Sequence, residues 1–125
     1  IRRREETHRW IDAYRSLDGG KTWTLESPPV EDLGEGNPPS LIALSDGRLC
    51  LTYGVRAEPY RICAQLSDDK GKTWGPQIVI RDDGAGRDIG YVRSVQRDDG
   101  KIVTIYYFQD KLKQERYIVS SIWQP

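Results

Sequence analysis

Short apolar runs alternate with clusters of turn residues along the whole chain, and no long helical periodicity is present. Asp-Gly or Gly-Gly turns separate the runs at residues 18–20, 46–47, 83–84 and 99–100. The pattern therefore predicts an all-β protein, with long Pro- and Gly-rich loops at 28–39 and 82–90. The predicted strands lie near residues 9–15, 22–27, 40–45, 49–55, 60–66, 77–81, 92–97, 102–108 and 116–122.

Two independent landmarks recur at nearly the same interval. The Asp46-Gly47 turn returns as Asp99-Gly100, 53 residues later. The stretch SLDGGKTW at 16–23 returns as SDDKGKTW at 67–74, 51 residues later. A period of this length with about four short strands per unit is typical of β-propeller blades. We therefore expect one partial propeller region over 1–125, with a blade part at 1–27, a blade at 37–81 and a blade part at 90–125.

Two to three four-stranded blades are too few to close a ring. An open propeller would expose sheet edges and apolar faces that normally pack against the next blade. The ring could be completed in two ways, by missing N-terminal blades of a longer polypeptide or by self-association of copies of this chain. The chain has no methionine, which favours a mature or truncated piece of a longer protein. Its compartment stays open, a secreted or periplasmic parent protein being one alternative.

Composition narrows the classes of partner. The 19 basic and 19 acidic residues balance, so no net field favours nucleic acid or a membrane surface. No apolar run approaches the length of a membrane span. The chain has four Trp and seven Tyr but one Phe, and such amphipathic aromatics suit β structure and polar clefts.

The two cysteines and the single histidine do not suggest a metal site. Cys50 and Cys63 each lie in a predicted strand among apolar neighbours, which favours two buried free thiols. A disulfide is the alternative if the strands pair in suitable register. His8 is distant in sequence and no CxxC spacing occurs, so we expect neither a metal nor an organic cofactor.

The repeated stretch has the form Ser-x-Asp-x-Gly-x-Thr-Trp and resembles the Asp-box of the bacterial neuraminidase repeat. The resemblance implies a turn between the third and fourth strands of a blade, on the face away from an active site. Asp18 and Asp69 would cap backbone N–H groups of the turns. Trp23 and Trp74 would pack between sheets. Both acidic residues are thus expected to be structural.

The wider resemblance is to the C-terminal part of the sialidase superfamily and covers essentially the whole chain. The resemblance rests on two stretches, GNPPSLIALSDGRLCLTYG at 36–54 and RDIGYVRSVQRDDGKIVTIYYF at 87–108. It implies a six-bladed propeller and an exo-acting, retaining glycosidase for terminal sialic acid or a related acidic sugar, with a Tyr nucleophile. Two alternatives remain: a non-catalytic Asp-box propeller that binds glycans or proteins, and a truncated, purely structural product.

The resemblance also implies site residues. Tyr91 matches the family's nucleophilic tyrosine; a neutral tyrosine, activated by a glutamate, avoids repulsion by the substrate carboxylate. An arginine trio grips that carboxylate with planar, paired hydrogen bonds. Arg3, with Arg2 as its competitor, and Arg56, with Arg61 as its competitor, are the candidates for the trio.

Arg93 is a further candidate for anion binding, although it does not occupy a standard trio position. It lies two residues after Tyr91, so a regular strand would present both side chains on one face. The alternative for Tyr91 is an aromatic packed between blades, and for each arginine a solvated surface residue. A structural salt bridge with Arg87 or Arg93 is favoured for Asp88, the alternative being that it holds an arginine in place, and both kinds of role stay open for Glu35. The family's acid/base aspartate and activating glutamate would lie upstream, so this chain alone would not complete a sialidase site.

Overall fold

The computed structural model describes residues 1–112 and 115–125, and these residues confirm the all-β class. They contain eleven strands and no helix, and therefore no helix that could cross a membrane. The strands are β1 Arg2–Glu5, β2 His8–Ile11, β3 Tyr14–Arg15, β4 Thr24–Leu25, β5 Ser40–Ala43, β6 Leu49–Val55, β7 Arg61–Ser67, β8 Ile78–Arg81, β9 Gly90–Gln96, β10 Ile102–Phe108 and β11 Tyr117–Trp123.

The strands form small antiparallel sheets in which neighbours in sequence pair with each other. β1 pairs with β2 and β3 with β4, while β5-β6-β7-β8 form a four-stranded meander and β9-β10-β11 a three-stranded one. The strands predicted after residue 40 are confirmed to within a few residues. The strand predicted at 9–15 is instead divided into β2 and β3, and β1 was not predicted because its sequence, RRRE, has no apolar alternation.

Apolar faces pack between successive sheets. The face of the four-stranded sheet that carries Tyr53 and Cys63 packs against the N-terminal segment through Ile11 and Leu33. Its opposite face, which carries Cys50 and Ile62, packs against the three-stranded sheet. Alternate residues of β10 are buried at this second interface: Ile102, Thr104, Tyr106 and Phe108.

The cysteines lie on opposite faces of the four-stranded sheet, and both are free. Two buried thiols are thus confirmed, and the disulfide alternative is wrong. The reason is the register, because Cys63 pairs with Tyr53 and Cys50 with Leu66, which places the two sulfurs in separate apolar clusters. Burial raises the thiol pKa of Cys50 to about 12 and that of Cys63 to about 11.

A chain of hydroxyl groups crosses the interface between the two larger sheets. Thr52 Oγ1 lies 2.8 Å from Ser94 Oγ, which lies 2.9 Å from Thr104 Oγ1. Trp123 Nε1 donates to Thr104 Oγ1 at 3.0 Å. Thr52 and Thr104 are fully buried, so each hydroxyl replaces the water it loses on folding with a protein partner.

The two repeated boxes form nearly identical turns. In the second, Asp69 Oδ1 accepts the backbone N–H groups of Lys72 and Thr73 at 2.9 Å, and Oδ2 accepts Thr73 Oγ1–H at 2.6 Å. Ser67 Oγ accepts the N–H of Gly71 at 2.7 Å and donates to Asp69. The first box repeats these bonds around Asp18.

These hydrogen bonds, led by those from the threonines, hold the pKa of Asp18 and Asp69 well below their usual range. The tryptophans behave differently from each other. Trp74 packs, as predicted, against the apolar cluster that contains Ile11, Tyr53 and Cys63, whereas the prediction for Trp23 is wrong because its side chain is 62% exposed.

Candidate functional site

The backbone at Tyr91 leaves the regular path of a strand. Arg93 pairs with Ile105, but Gly90 rather than Tyr91 pairs with Tyr107, so β9 has one residue more than β10 over this interval. Such a bulge redirects a side chain. Tyr91 has φ 51° and Gly90 has φ 115°, both in the left-handed region. The Tyr91 side chain is 54% exposed, although Gly90 and Val92 beside it are buried.

A buried amide holds this unusual backbone. Asn37 is fully buried at the end of the 28–39 loop. Its Nδ2 donates to the carbonyl of Ile89 at 2.7 Å, and its Oδ1 accepts the N–H of Tyr91 at 3.3 Å. Both flanking glycines make room for it, since a Cβ would lie 2.0 Å from Nδ2 at Gly90 and 2.7 Å at Gly54. The loop, β6 and β9 therefore meet at one amide group.

Arg56 connects the same carbonyl to a charged cluster. Its Nε donates to the Ile89 carbonyl at 3.0 Å and an Nη donates to Tyr107 Oη at 2.5 Å. Tyr107 Oη in turn donates to Asp88 Oδ1 at 2.6 Å, and the second oxygen of Asp88 pairs with Arg116. Arg56 Cζ lies 5.6 Å from the ring centroid of Tyr91, whose ring is 5.8 Å from that of Tyr107.

The electrostatics of the cluster favour a neutral phenol beside a carboxylate. Burial, followed by the hydrogen bond to Asp88, raises the pKa of Tyr107 to about 12. The hydrogen bond from Tyr107, aided by Arg116, lowers the pKa of Asp88. At neutral pH Tyr107 therefore keeps its proton, accepts from Arg56 and donates to Asp88, which fixes the guanidinium in one orientation.

Arg56 also borders a cationic pocket of about 290 Å³. The pocket is lined by Arg2, Arg4, Arg9, Glu35, Gly36, Arg56 and Arg87. Arg2 donates to the carbonyl of Gly36 at 3.3 Å, and Arg87 pairs with Glu35 at 2.9 Å. Five arginines and one glutamate line the pocket, so it has an excess of positive charge that suits an anionic ligand.

The structure brings together some of the predicted site residues and separates others. Tyr91 and Arg56 lie side by side, while the Nε of Arg3 pairs with Asp12 at 3.3 Å and Arg3 does not line the pocket. Its neighbours in β1, Arg2 and Arg4, do line it, because side chains alternate along a strand. Arg3 therefore does not meet Arg56 in this pocket.

Arg93 and Arg61 also lie apart from the pocket. Arg93 donates to the carbonyl of Val92. Like Tyr91 it is an exposed residue of β9, with the buried Val92 between them, but it does not line the pocket. Arg61 donates to Gln77 and to the carbonyl of Pro59. Asp88 and Glu35 form ion pairs as expected, but Asp88 pairs with Arg116 and Arg56 rather than with Arg87 or Arg93.

Several contributors were not identified from the sequence: Asn37, Tyr107, Arg4, Arg9 and Arg116. The sequence signal available for Asn37 was its position in the stretch Gly36-Asn37-Pro38-Pro39. Arg116 and Arg9 have no local signal, because their roles arise from contacts between distant segments. Among residues 1–112 and 115–125, no group of three His, Cys, Asp or Glu side chains could hold a metal ion.

A larger hollow of about 550 Å³ lies between the N-terminal segment and the four-stranded sheet. Trp23, Trp74, Leu41 and Leu51 line it, and among the described lining residues Asp12 alone has a charged side chain. Its apolar walls suit packing against other protein rather than binding of an acidic sugar.

Comparisons with known proteins identify a similar structure but no function. No protein-family model matches the chain, and no curated protein matches it. A crystal structure of a protein of unknown function from Dyadobacter fermentans DSM 18053 is 34% identical, with a TM-score of 0.74. The similarity covers 94% of this chain and 31% of that one. The chain thus spans about a third of the length of this neighbour and shares its architecture over that part.

Proposed function

We propose that this chain is part of a sialidase-type β-propeller and that its arginine-lined pocket binds the carboxylate of an acidic sugar, terminal sialic acid being the first candidate. The observation that carries the proposal is the excess of arginines in the pocket around Arg56, whose guanidinium is held by the Ile89 carbonyl and Tyr107. Arginine suits this task because its planar fork matches a carboxylate with two parallel hydrogen bonds.

The propeller part of the proposal is supported by two equivalent sheet faces. In the four-stranded sheet, Cys50 of β6 pairs with Leu66 of β7, and the three-stranded sheet covers the face on which both side chains lie. The matching pair in the three-stranded sheet is Val103 and Ile122, and the corresponding face is uncovered. Ile118 on this face is 75% exposed and Ile122 is 55% exposed.

An apolar sheet face with no covering layer favours packing against a further sheet. In a propeller that sheet is the next blade, which repeats the packing already present between the four- and three-stranded sheets. A further blade of the same polypeptide and an associated copy both satisfy this requirement.

Sugar binding is favoured over hydrolysis by the positions of the predicted residues. Of the three arginines predicted to bind the substrate, Arg56 lies against the Tyr91 ring and lines the pocket, whereas Arg3 pairs with Asp12 and neither Arg3 nor Arg93 lines it. The two carboxylates near the pocket, Glu35 and Asp88, are both paired with arginines. Neither carboxylate hydrogen-bonds to the Tyr91 hydroxyl, so within the described part of the chain the site lacks the glutamate–tyrosine pair that a sialidase nucleophile needs.

Hydrolysis is the second candidate function, because Tyr91 combines a left-handed backbone with a half-exposed ring next to Arg56. Backbone strain of this kind concentrates at functional positions. In this version the acid/base and the activating carboxylate come from blades outside the chain. Release of 4-methylumbelliferone from its sialoside tests it, and equal turnover by the unaltered protein and Tyr91→Phe would remove Tyr91 from the mechanism.

Binding is tested by calorimetric titration of the chain with N-acetylneuraminic acid and with its methyl ester, which lacks the charge. We expect the acid to bind and the ester to bind at least about tenfold more weakly, because one charge-assisted pair contributes about 1.5–3 kcal/mol. Arg56→Gln should weaken binding of the acid by a similar factor. Arg48→Gln is the matched control, since Arg48 pairs with Asp46 at a distant turn. Equal affinities for acid and ester, or equal effects of the two substitutions, would refute the proposal.

A further inference from the structure

We infer that Asn37 is the positioning residue of the candidate site: its buried amide holds Tyr91 and Arg56 in one fixed arrangement. The effect that we expect on ligand binding rests on the proposed function. The contacts of Asn37 with Tyr91 and Ile89 are independent of that proposal.

The first support is that Asn37 is completely enclosed and serves both sides of one short segment. It donates to the carbonyl of Ile89 and accepts the N–H of Tyr91, so it spans the glycine between them. A side-chain amide can do this because its donor and its acceptor lie side by side. The amide therefore substitutes for the strand partner that the bulge removes at this point.

The second support is the shape around the amide. Gly54 of β6 and Gly90 of β9 both approach Asn37 so closely that neither position has space for a Cβ. Close approach of two backbones to one polar side chain uses glycine at both positions. The enclosure fixes the orientation of the amide, and the amide in turn maintains the left-handed conformation of Gly90 and Tyr91.

The third support links the amide to the arginine. The Ile89 carbonyl accepts two donors, Asn37 Nδ2 at 2.7 Å and Arg56 Nε at 3.0 Å. A shift of this carbonyl would move the guanidinium and, through the next two residues, the Tyr91 ring. Tyr91 and Arg56 are thus linked through one shared carbonyl, which positions Arg56 together with Tyr107.

The test compares Asn37→Ala with Gln96→Ala. Gln96 is a suitable control because its amide also bridges two backbone groups, the N–H of Ser45 and the carbonyl of Gly100, at the opposite end of β9. Amide hydrogen exchange measured by NMR reports directly on the Tyr91 N–H. We expect exchange at Tyr91 to be about tenfold faster in Asn37→Ala, the equivalent of one net hydrogen bond, and unchanged in Gln96→Ala.

The same variants are titrated with N-acetylneuraminic acid, and we expect Asn37→Ala to bind about tenfold more weakly while Gln96→Ala binds normally. If Asn37→Ala does not fold, Asn37→Ser retains part of the side-chain volume and takes its place. Unchanged exchange at Tyr91, or faster exchange spread evenly over all sheets, would overturn the positioning role. If the unaltered chain binds no N-acetylneuraminic acid, the proposed function fails, and the exchange data still decide whether Asn37 holds Tyr91.

Discussion

Replacing Gly90 by alanine should destabilise the protein far more than the same change at Gly100. Both glycines have a left-handed backbone, with φ 115° at Gly90 and φ 82° at Gly100. They differ in their surroundings, because a Cβ at Gly100 meets no atom within 4 Å, whereas at Gly90 it would lie 2.0 Å from Asn37 Nδ2. The pair therefore separates the cost of backbone strain from the cost of displacing Asn37.

The expected magnitudes follow from the contacts. Backbone strain alone should cost Gly100→Ala about 1 kcal/mol of unfolding free energy. Gly90→Ala has this cost and also displaces the amide of Asn37. Loss of its two hydrogen bonds, with buried groups left unpaired, adds about 2–4 kcal/mol. The difference between the variants should therefore be about 2–4 kcal/mol in favour of Gly100→Ala.

Urea unfolding followed by tryptophan fluorescence measures the two free energies, provided the slope with denaturant concentration is the same for both variants. The Asn37→Ala background supplies a second check, because removal of the amide removes the clash. There Gly90→Ala should cost little more than Gly100→Ala, which gives a coupling of about 2 kcal/mol or more between Asn37 and Gly90. Equal losses for the two glycine variants in the unaltered background would show that Asn37 does not fill this space.

Three further outcomes are expected. Because hydrogen bonds lower the carboxyl pKa of Asp69, its charged form stabilises the folded protein at pH values above the ordinary pKa near 3.8, and this stabilisation is lost as pH falls through the lowered pKa. Asp69→Asn should therefore lower the melting temperature at pH 7, and the difference from the unaltered protein should shrink towards pH 2. Thr104→Val leaves the indole N–H of Trp123 without its acceptor and should cost about 1–3 kcal/mol by urea unfolding; a cost near zero would contradict the hydroxyl chain. Cys50 and Cys63 should not react with Ellman's reagent at pH 8 until the protein unfolds, because burial raises both thiol pKa values; rapid reaction of the native protein would contradict this.

The sequence predicted the larger sheets well because their signals are local. Turn residues such as Asp46-Gly47 and Asp99-Gly100 separate apolar runs of strand length, and the strands lie between them. Prediction was weaker where pairing with a distant segment decides the structure. β1 consists of charged residues and is a strand because it pairs with β2, and the 9–15 run is divided where Ile1 and Asp12 exchange backbone hydrogen bonds.

The candidate site was only partly predictable for the same reason. Tyr91 and Arg56 could be selected by resemblance to a motif. The choice between Arg2 and Arg3 depended on which face of β1 meets the 28–39 loop, and the backbone conformation at Tyr91 depended on one extra residue in β9. Neither feature leaves a periodic signal, since a bulge changes the alternation without changing the composition of a strand.

By itself the sequence determined the β class, the repeat of about fifty residues and the two Ser-x-Asp-x-Gly-x-Thr-Trp turns, because side-chain caps and glycine turns act over fewer than ten residues. Tertiary structure alone decided that a loop asparagine reaches β6 and β9, that Arg56 shares a carbonyl with it, and that arginines from separate segments face one pocket. These arrangements depend on how whole sheets pack. That packing depends on many apolar contacts between residues far apart in the chain, so it cannot be predicted from any short stretch of sequence.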